Sequence, residues 1–131
     1  MNAQEIATQA HAGQFRRDGV TPYITHPEAV ASFFNKGSMA WQVAWLHDVL
    51  EDTKWTKNDL AKAGMSDSVI VNVEWLTHRK EETYAQYIAR VARSYTSKKI
   101  KIADIFVNLS DSPTDRQKEK YKKALAVLLN D

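Results

Sequence analysis

The chain has 131 residues, 44% of them hydrophobic and 26% charged, the usage of one ordinary globular domain with a real core, which excludes a disordered or fibrous chain. Its 18 Lys and Arg against 16 Asp and Glu leave a net charge of +2, too even for a protein whose main work is to neutralise a nucleic-acid backbone. Cysteine is absent, so disulfide frameworks, thiolate zinc sites and thiol nucleophiles are excluded, and any metal must sit on His, Asp or Glu.

Four glycines and three prolines punctuate the chain, and apolar residues recur at three- and four-residue spacing, which predicts an all-α, single compact bundle of about seven to eight helices over residues 1 to 131. The first helix is expected over residues 2 to 15, with Asn2 as cap and Glu5 three positions on, where each can satisfy the other's backbone donor. Gly19 and Pro22 mark a loop to His26, and Pro27, whose missing N–H is no loss in a first turn, opens a helix over 27 to 35. Residues 39 to 50 are apolar nearly all round, the mark of a central buried helix. Thr56 and Ser66 cap short helices over 56 to 63 and 67 to 77, separated by Gly64. Helices follow over 81 to 95, 97 to 109 and, from near Pro113, 113 to 129. No apolar run reaches the roughly 18 residues of a membrane span. Met1-Asn2-Ala3-Gln4-Glu5 has neither the basic nor the apolar region of a signal peptide, so the expectation is a cytoplasmic protein that binds no membrane.

Polar residues on the central helix carry the first hint of chemistry. His47-Asp48 rides on that buried element, where a charge must be neutralised, hydrogen-bonded or bound to a metal. Glu51 and Asp52 follow one turn later, and acidic groups at the negative end of a helix call for a compensating cation. Asp104 interrupts an apolar helix with Asn108 one turn on, and His26 stands at a loop-to-helix junction. Singly, Asp104 reads equally well as a buried hydrogen-bonded acid and His26 as a helix cap. Together His26, His47, Asp48 and Asp104 supply two imidazoles and two carboxylates, a set that suits one Mn²⁺, Fe²⁺ or Zn²⁺ ion with positions left for water and substrate.

The segments around these residues resemble the HD-domain hydrolases of the RelA/SpoT type, especially small stand-alone alarmone hydrolases. The resemblance is carried by Ala10-His11-Ala12-Gly13-Gln14-Phe15-Arg16 with Pro22-Tyr23-Ile24-Thr25-His26-Pro27, by Leu46-His47-Asp48-Val49-Leu50-Glu51-Asp52-Thr53, and by Lys101-Ile102-Ala103-Asp104 with Asn108. It implies a helical HD domain in which His26, His47, Asp48 and Asp104 hold one Mn²⁺ ion. It further implies that Glu51 and Asp52 orient or deprotonate the attacking water, with either one as the proton acceptor. The implied substrate is a guanosine 3′,5′-polyphosphate, cleaved at the 3′ position with release of pyrophosphate. Arg16 matches the position that stacks on the purine, Arg17 is the neighbouring phosphate contact, Asn108 matches a substrate contact, and Tyr121 matches an aromatic residue lining the pocket.

His11 is expected to fix the first loop by hydrogen bonds, Trp41, Trp45 and Trp75 to be core, and Lys98, Lys99 and Lys101 to form a solvated face or to add a positive field for a polyanion. Longer family members often carry Arg two residues after the Asn, where this chain has Ser110. That departure keeps open another phosphorylated nucleotide, such as reduced nicotinamide dinucleotide phosphate, and a non-catalytic nucleotide sensor. Without synthetase or regulatory segments, the chain is expected only to degrade its nucleotide.

Overall fold

A computed structural model describes residues 1 to 130 of the chain. The described residues form nine α-helices and no strand, beyond one isolated bridge between Phe15 and Pro22. They fall into two units, Met1–Thr77 and His78–Asp131. The all-α expectation is met; the ninth helix arises because the element foreseen over 39 to 50 is divided at His47 and Asp48.

The first unit holds α1 (Ala3–Ala10), α2 (Thr25–Ala31), α3 (Met39–Leu46), α4 (Val49–Asp52), α5 (Lys57–Lys62) and α6 (Asp67–Trp75). Asn2 and Glu5 close the foreseen capping box at 2.8 and 2.9 Å. α1 stops at Ala10 rather than at residue 15, because the chain turns through Gly13 at φ +81°, a conformation that costs glycine nothing. α2 begins at Thr25, so His26 lies inside its first turn and not in the loop before it. Four consecutive residues of α3, Val43 to Leu46, are buried, as a central helix covered on every side requires. α3 packs against α1, α2 and α6, and α5 against α6. Each large aliphatic side chain buried there, such as Ile6, Leu46 or Leu60, contributes roughly 1.5–3 kcal/mol. Trp45 is buried with them, while Trp41 and Trp75 are half-buried.

The second unit holds α7 (Tyr84–Val91), α8 (Tyr95–Leu109) and α9 (Asp115–Leu128). Thr83 with Gln86 and Thr114 with Gln117 form capping boxes that set where α7 and α9 begin, so α9 starts after Thr114 rather than at Pro113. α9 packs on α7 and α8, which also meet each other, around Ile88, Val91, Ile100, Ile105 and Leu128. Glu82, just before α7, receives two hydrogen bonds from the Arg90 guanidinium, at 2.7 and 2.8 Å. No described helix is long and apolar enough to cross a membrane.

Candidate functional site

The division between α3 and α4 is made by a side chain. In a continuing helix the carbonyl of Ala44 would take the N–H of Asp48; here the His47 imidazole donates to it from Nδ1 at 2.6 Å, and the His47 N–H approaches the same oxygen at 3.5 Å. Asp48 leaves the helix at φ −102°, ψ −3°, and α4 resumes for a single turn. Because a carbonyl only accepts, Nδ1 carries a proton, and in the neutral form of the ring Nε2 is the lone pair.

That Nε2 lies 3.1 Å from Asp48 Oδ2, and Nε2 of His26 lies 3.9 Å from the same oxygen. The two imidazole rings are 5.3 Å apart, and both side chains are buried, at 2% and 3% exposure. A lone pair facing a carboxylate oxygen at that distance repels it unless a proton or a cation lies between them. The donor set and the tautomer of His47 therefore fit a divalent cation, with the Ala44 carbonyl fixing the ring orientation as ligating histidines commonly require. Tyr23 OH donates to the same Oδ2.

Glu51 and Asp52 are both exposed and belong to α4. This corrects the expectation that they crowd the negative end of a long helix: with one turn behind them there is no extended macrodipole to oppose, so that electrostatic argument for a site does not hold. Gln14 reaches across from the first loop, donating from Nε2 to the Asp52 carbonyl at 2.9 Å while its Oε1 accepts from His11 Nδ1 at 2.8 Å. His11 is 2% exposed, and burial pulls its pKa below the ordinary histidine value, with the Gln14 bond opposing that shift. It fixes the loop, as expected.

Arg16 is half-buried and Arg17 exposed, on a loop clipped by Asp18. Asp18 accepts from the N–H groups of Val20 and Thr21, both at 2.8 Å, and from the Thr21 hydroxyl. These bonds, the Thr21 hydroxyl first, hold its carboxyl down at about 2. Asp18, Gln14 and Tyr23 were given no role on sequence grounds. Gln14 and Tyr23 lie inside the opening segment, where position in the motif was the available signal, and Asp18 lies between its two parts; the partners of all three are set by the folded loop.

In the second unit, Asp104 is 4% exposed on α8. Lys101 Nζ donates to its Oδ2 at 2.8 Å, and Asn108 Nδ2 approaches its Oδ1 at 3.5 Å. Lys101 is thus not part of a solvated face: its side chain is 13% exposed and its ammonium stands 5.1 Å from the centre of the Tyr87 ring. Burial pulls its pKa down, but the Asp104 carboxylate and the Tyr87 and Tyr84 hydroxyls outweigh that and hold it well above the ordinary lysine value. Tyr121 is half-buried on α9, with Lys120 Nζ 5.5 Å from its ring centre.

A helical chain that breaks a buried helix on a His-Asp pair, and buries a further aspartate in a later helix, has the hallmarks of an HD-domain protein. No protein-family model matches the sequence. It is 34% identical to a guanosine-3′,5′-bis(diphosphate) 3′-pyrophosphohydrolase of Haemophilus influenzae, over 93% of this chain and 20% of that protein. It is also 34% identical to a probable GTP pyrophosphokinase of Mycobacterium leprae, over 96% of this chain and 18% of that protein. The chain therefore spans about a fifth of the length of these curated relatives. A solved structure of a metazoan ortholog of SpoT, described as hydrolysing ppGpp and acting in starvation responses, superposes with a TM-score of 0.82 at 28% identity, over 96% of this chain and 83% of that one. The chain belongs to the HD-domain family of the RelA/SpoT type.

Proposed function

We propose that residues 1 to 131 act as one metal-dependent phosphohydrolase domain that cleaves a guanosine 3′,5′-bis(diphosphate) at its 3′ position and releases pyrophosphate. His26, His47, Asp48 and Asp104 hold a single divalent ion, Mn²⁺ by family resemblance. The observation that carries the reading is Asp48 Oδ2, on which the Nε2 atoms of two buried imidazoles converge, one of them locked in the ligating tautomer. Burial adds support, since His26, His47 and Asp104 are a group of residue types that could hold a metal ion. The hydrolase named among the relatives and the ppGpp-hydrolysing ortholog support the substrate class.

A bound divalent cation would lower the pKa of water and neutralise phosphate oxygens. The protein supplies the rest. Glu51 or Asp52, exposed and one turn beyond His47-Asp48, accepts a proton from the attacking water. The bond from phosphorus to the 3′-oxygen breaks, pyrophosphate departs, and the 3′-oxygen takes up a proton. Arg16, on the loop clipped by Asp18, offers a planar guanidinium to the purine and Arg17 a charge to phosphate. Asn108 and Tyr121 line the nucleotide.

The test is to load the full chain with Mn²⁺ and measure pyrophosphate release from guanosine tetraphosphate, beside phosphate release from reduced nicotinamide dinucleotide phosphate. The second arm is justified by Ser110, a neutral residue whose hydroxyl donates to the Val107 carbonyl at 2.6 Å, at the position where, by the family resemblance, longer members often carry Arg. Pyrophosphate is the expected product. Glu51→Gln is expected to bind Mn²⁺ as the parent does and to lose about 10²- to 10⁴-fold in kcat, the usual scale for a lost proton acceptor. A Glu51→Gln variant with full turnover assigns the role to Asp52.

A further inference from the structure

We propose that Gln14 is a positioning residue for the Glu51 and Asp52 carboxylates: its side-chain amide, anchored on buried His11, holds the carbonyl that ends the four-residue helix carrying them. The inference rests on the proton-accepting role given above to that pair.

A carboxamide has one accepting and one donating end, and both ends of Gln14 are committed. The Asp52 carbonyl, 38 residues away in sequence, can only accept, so Nε2 must face it at 2.9 Å. Oε1 then faces His11 Nδ1 at 2.8 Å, which must carry the proton. The anchor is firm, because His11 is 2% exposed and its ring lies 4.9 Å from that of Tyr23.

The held element needs such a tie. α4 is a single turn, and one turn fixes more backbone dihedrals than its few hydrogen bonds repay. Its helical ladder closes with the Thr53 N–H on the Val49 carbonyl at 3.2 Å, after which Thr53 runs extended at φ −132°, ψ 176°. Gln14 supplies a donor to the Asp52 carbonyl beyond that last bond. At the other end of the turn Tyr23, from the same loop, donates to Asp48. Residues 48 to 52 are thus clasped at both ends from residues 14 to 23, which couples the rigidity of one loop to the placement of two exposed acids.

The experiment compares two variants of the full chain. Gln14→Met keeps the length and loses both hydrogen bonds. Gln14→Glu keeps the shape but sets a carboxylate oxygen against the Asp52 carbonyl. Three quantities are measured: Mn²⁺ affinity by calorimetry with the metal alone, amide hydrogen exchange over residues 49 to 53, and kcat and KM for guanosine tetraphosphate. In both variants Mn²⁺ affinity stays within about threefold while exchange over 49 to 53 rises at least about tenfold, the response of a turn that has lost a tie. With the carboxylates displaced, kcat falls about 10- to 100-fold and KM moves less than about threefold.

A simple packing role predicts that the isosteric Gln14→Glu behaves as the parent; that result, or unchanged exchange and kcat in Gln14→Met, overturns the proposal. Should Gln14→Met melt early, the volume-conserving Gln14→Glu carries the same readings. If the parent itself releases no pyrophosphate, the hydrolase reading fails, and exchange over 49 to 53 alone upholds or overturns the tie.

Discussion

Between Met39 and Asp52 the helix gives way where its polar side chains sit, whereas from Tyr95 to Leu109 fifteen residues of helix run unbroken through Asp104. Each segment has an aspartate to keep from solvent, and each does so differently. In the first, His47 takes the Ala44 carbonyl, the helix ends, and Asp48 turns toward two imidazoles and the Tyr23 hydroxyl. In the second, the backbone ladder stays intact and Lys101, one turn earlier on the same helix, supplies the opposite charge to Asp104. The Tyr23 and His26 contacts of Asp48 depend on tertiary packing, whereas the Lys101 contact of Asp104 depends on helix spacing.

The largest effects test whether both segments serve one ion. His47→Ala and Asp104→Ala should each lower Mn²⁺ affinity by at least about 100-fold in calorimetry with the metal alone, above the range usual for residues that only orient ligands. If only one of the two loses metal, the four-ligand set is wrong and the segment left unaffected is structural. Next comes Lys101→Met, which leaves Asp104 buried without its ammonium and should cost about 3 kcal/mol in urea unfolding, the low end for breaking a buried pair. Mn²⁺ should then raise the melting temperature of this variant more than that of the parent, because a cation takes over the compensation that Lys101 gave.

On the broken-helix side, Tyr23→Phe removes the hydroxyl that donates to Asp48 and should cost about 1 kcal/mol, with helix content by circular dichroism unchanged. A gain of helix would mean that Tyr23, rather than the His47 imidazole, makes the break. The smallest effect concerns a different acid beside α7. The Arg90 guanidinium bonded to Glu82 holds its carboxyl at about 2, against 4.5 unperturbed. A folded-state pKa below the unfolded one stabilises above the unfolded value, so this contribution is present above about 4.5 and is lost as pH falls toward about 2. Melting temperature followed across that window should fall less in Glu82→Gln than in the parent.

Much of this was legible before any coordinates. The Asn2 and Thr56 caps, the α5 and α6 boundaries and the all-α class follow from interactions that close within four residues, which is the range that sequence spacing reports. The sequence also names six candidates for the site, His26, His47, Asp48, Glu51, Asp52 and Asp104. Two readings failed for one reason. Residues 39 to 50 look like one helix because apolar periodicity does not register that an imidazole will outbid the backbone for a carbonyl. Lys101 looks solvated beside Lys98 and Lys99, because lysines read alike until the helix is rotated against its neighbours, and it alone turns toward Asp104 and Tyr87.

The amino-acid order by itself determined that the chain is helical, where most helices start, and which side chains could bind a cation, since caps, periodicity and donor chemistry are local properties. Only the tertiary structure decided that the central helix breaks at His47 and that Gln14 meets the Asp52 carbonyl 38 residues away. Such a contact depends on where the packing of α1, α2 and α3 leaves the loop, and the free energy that selects it is spread over the whole buried core rather than written at either end.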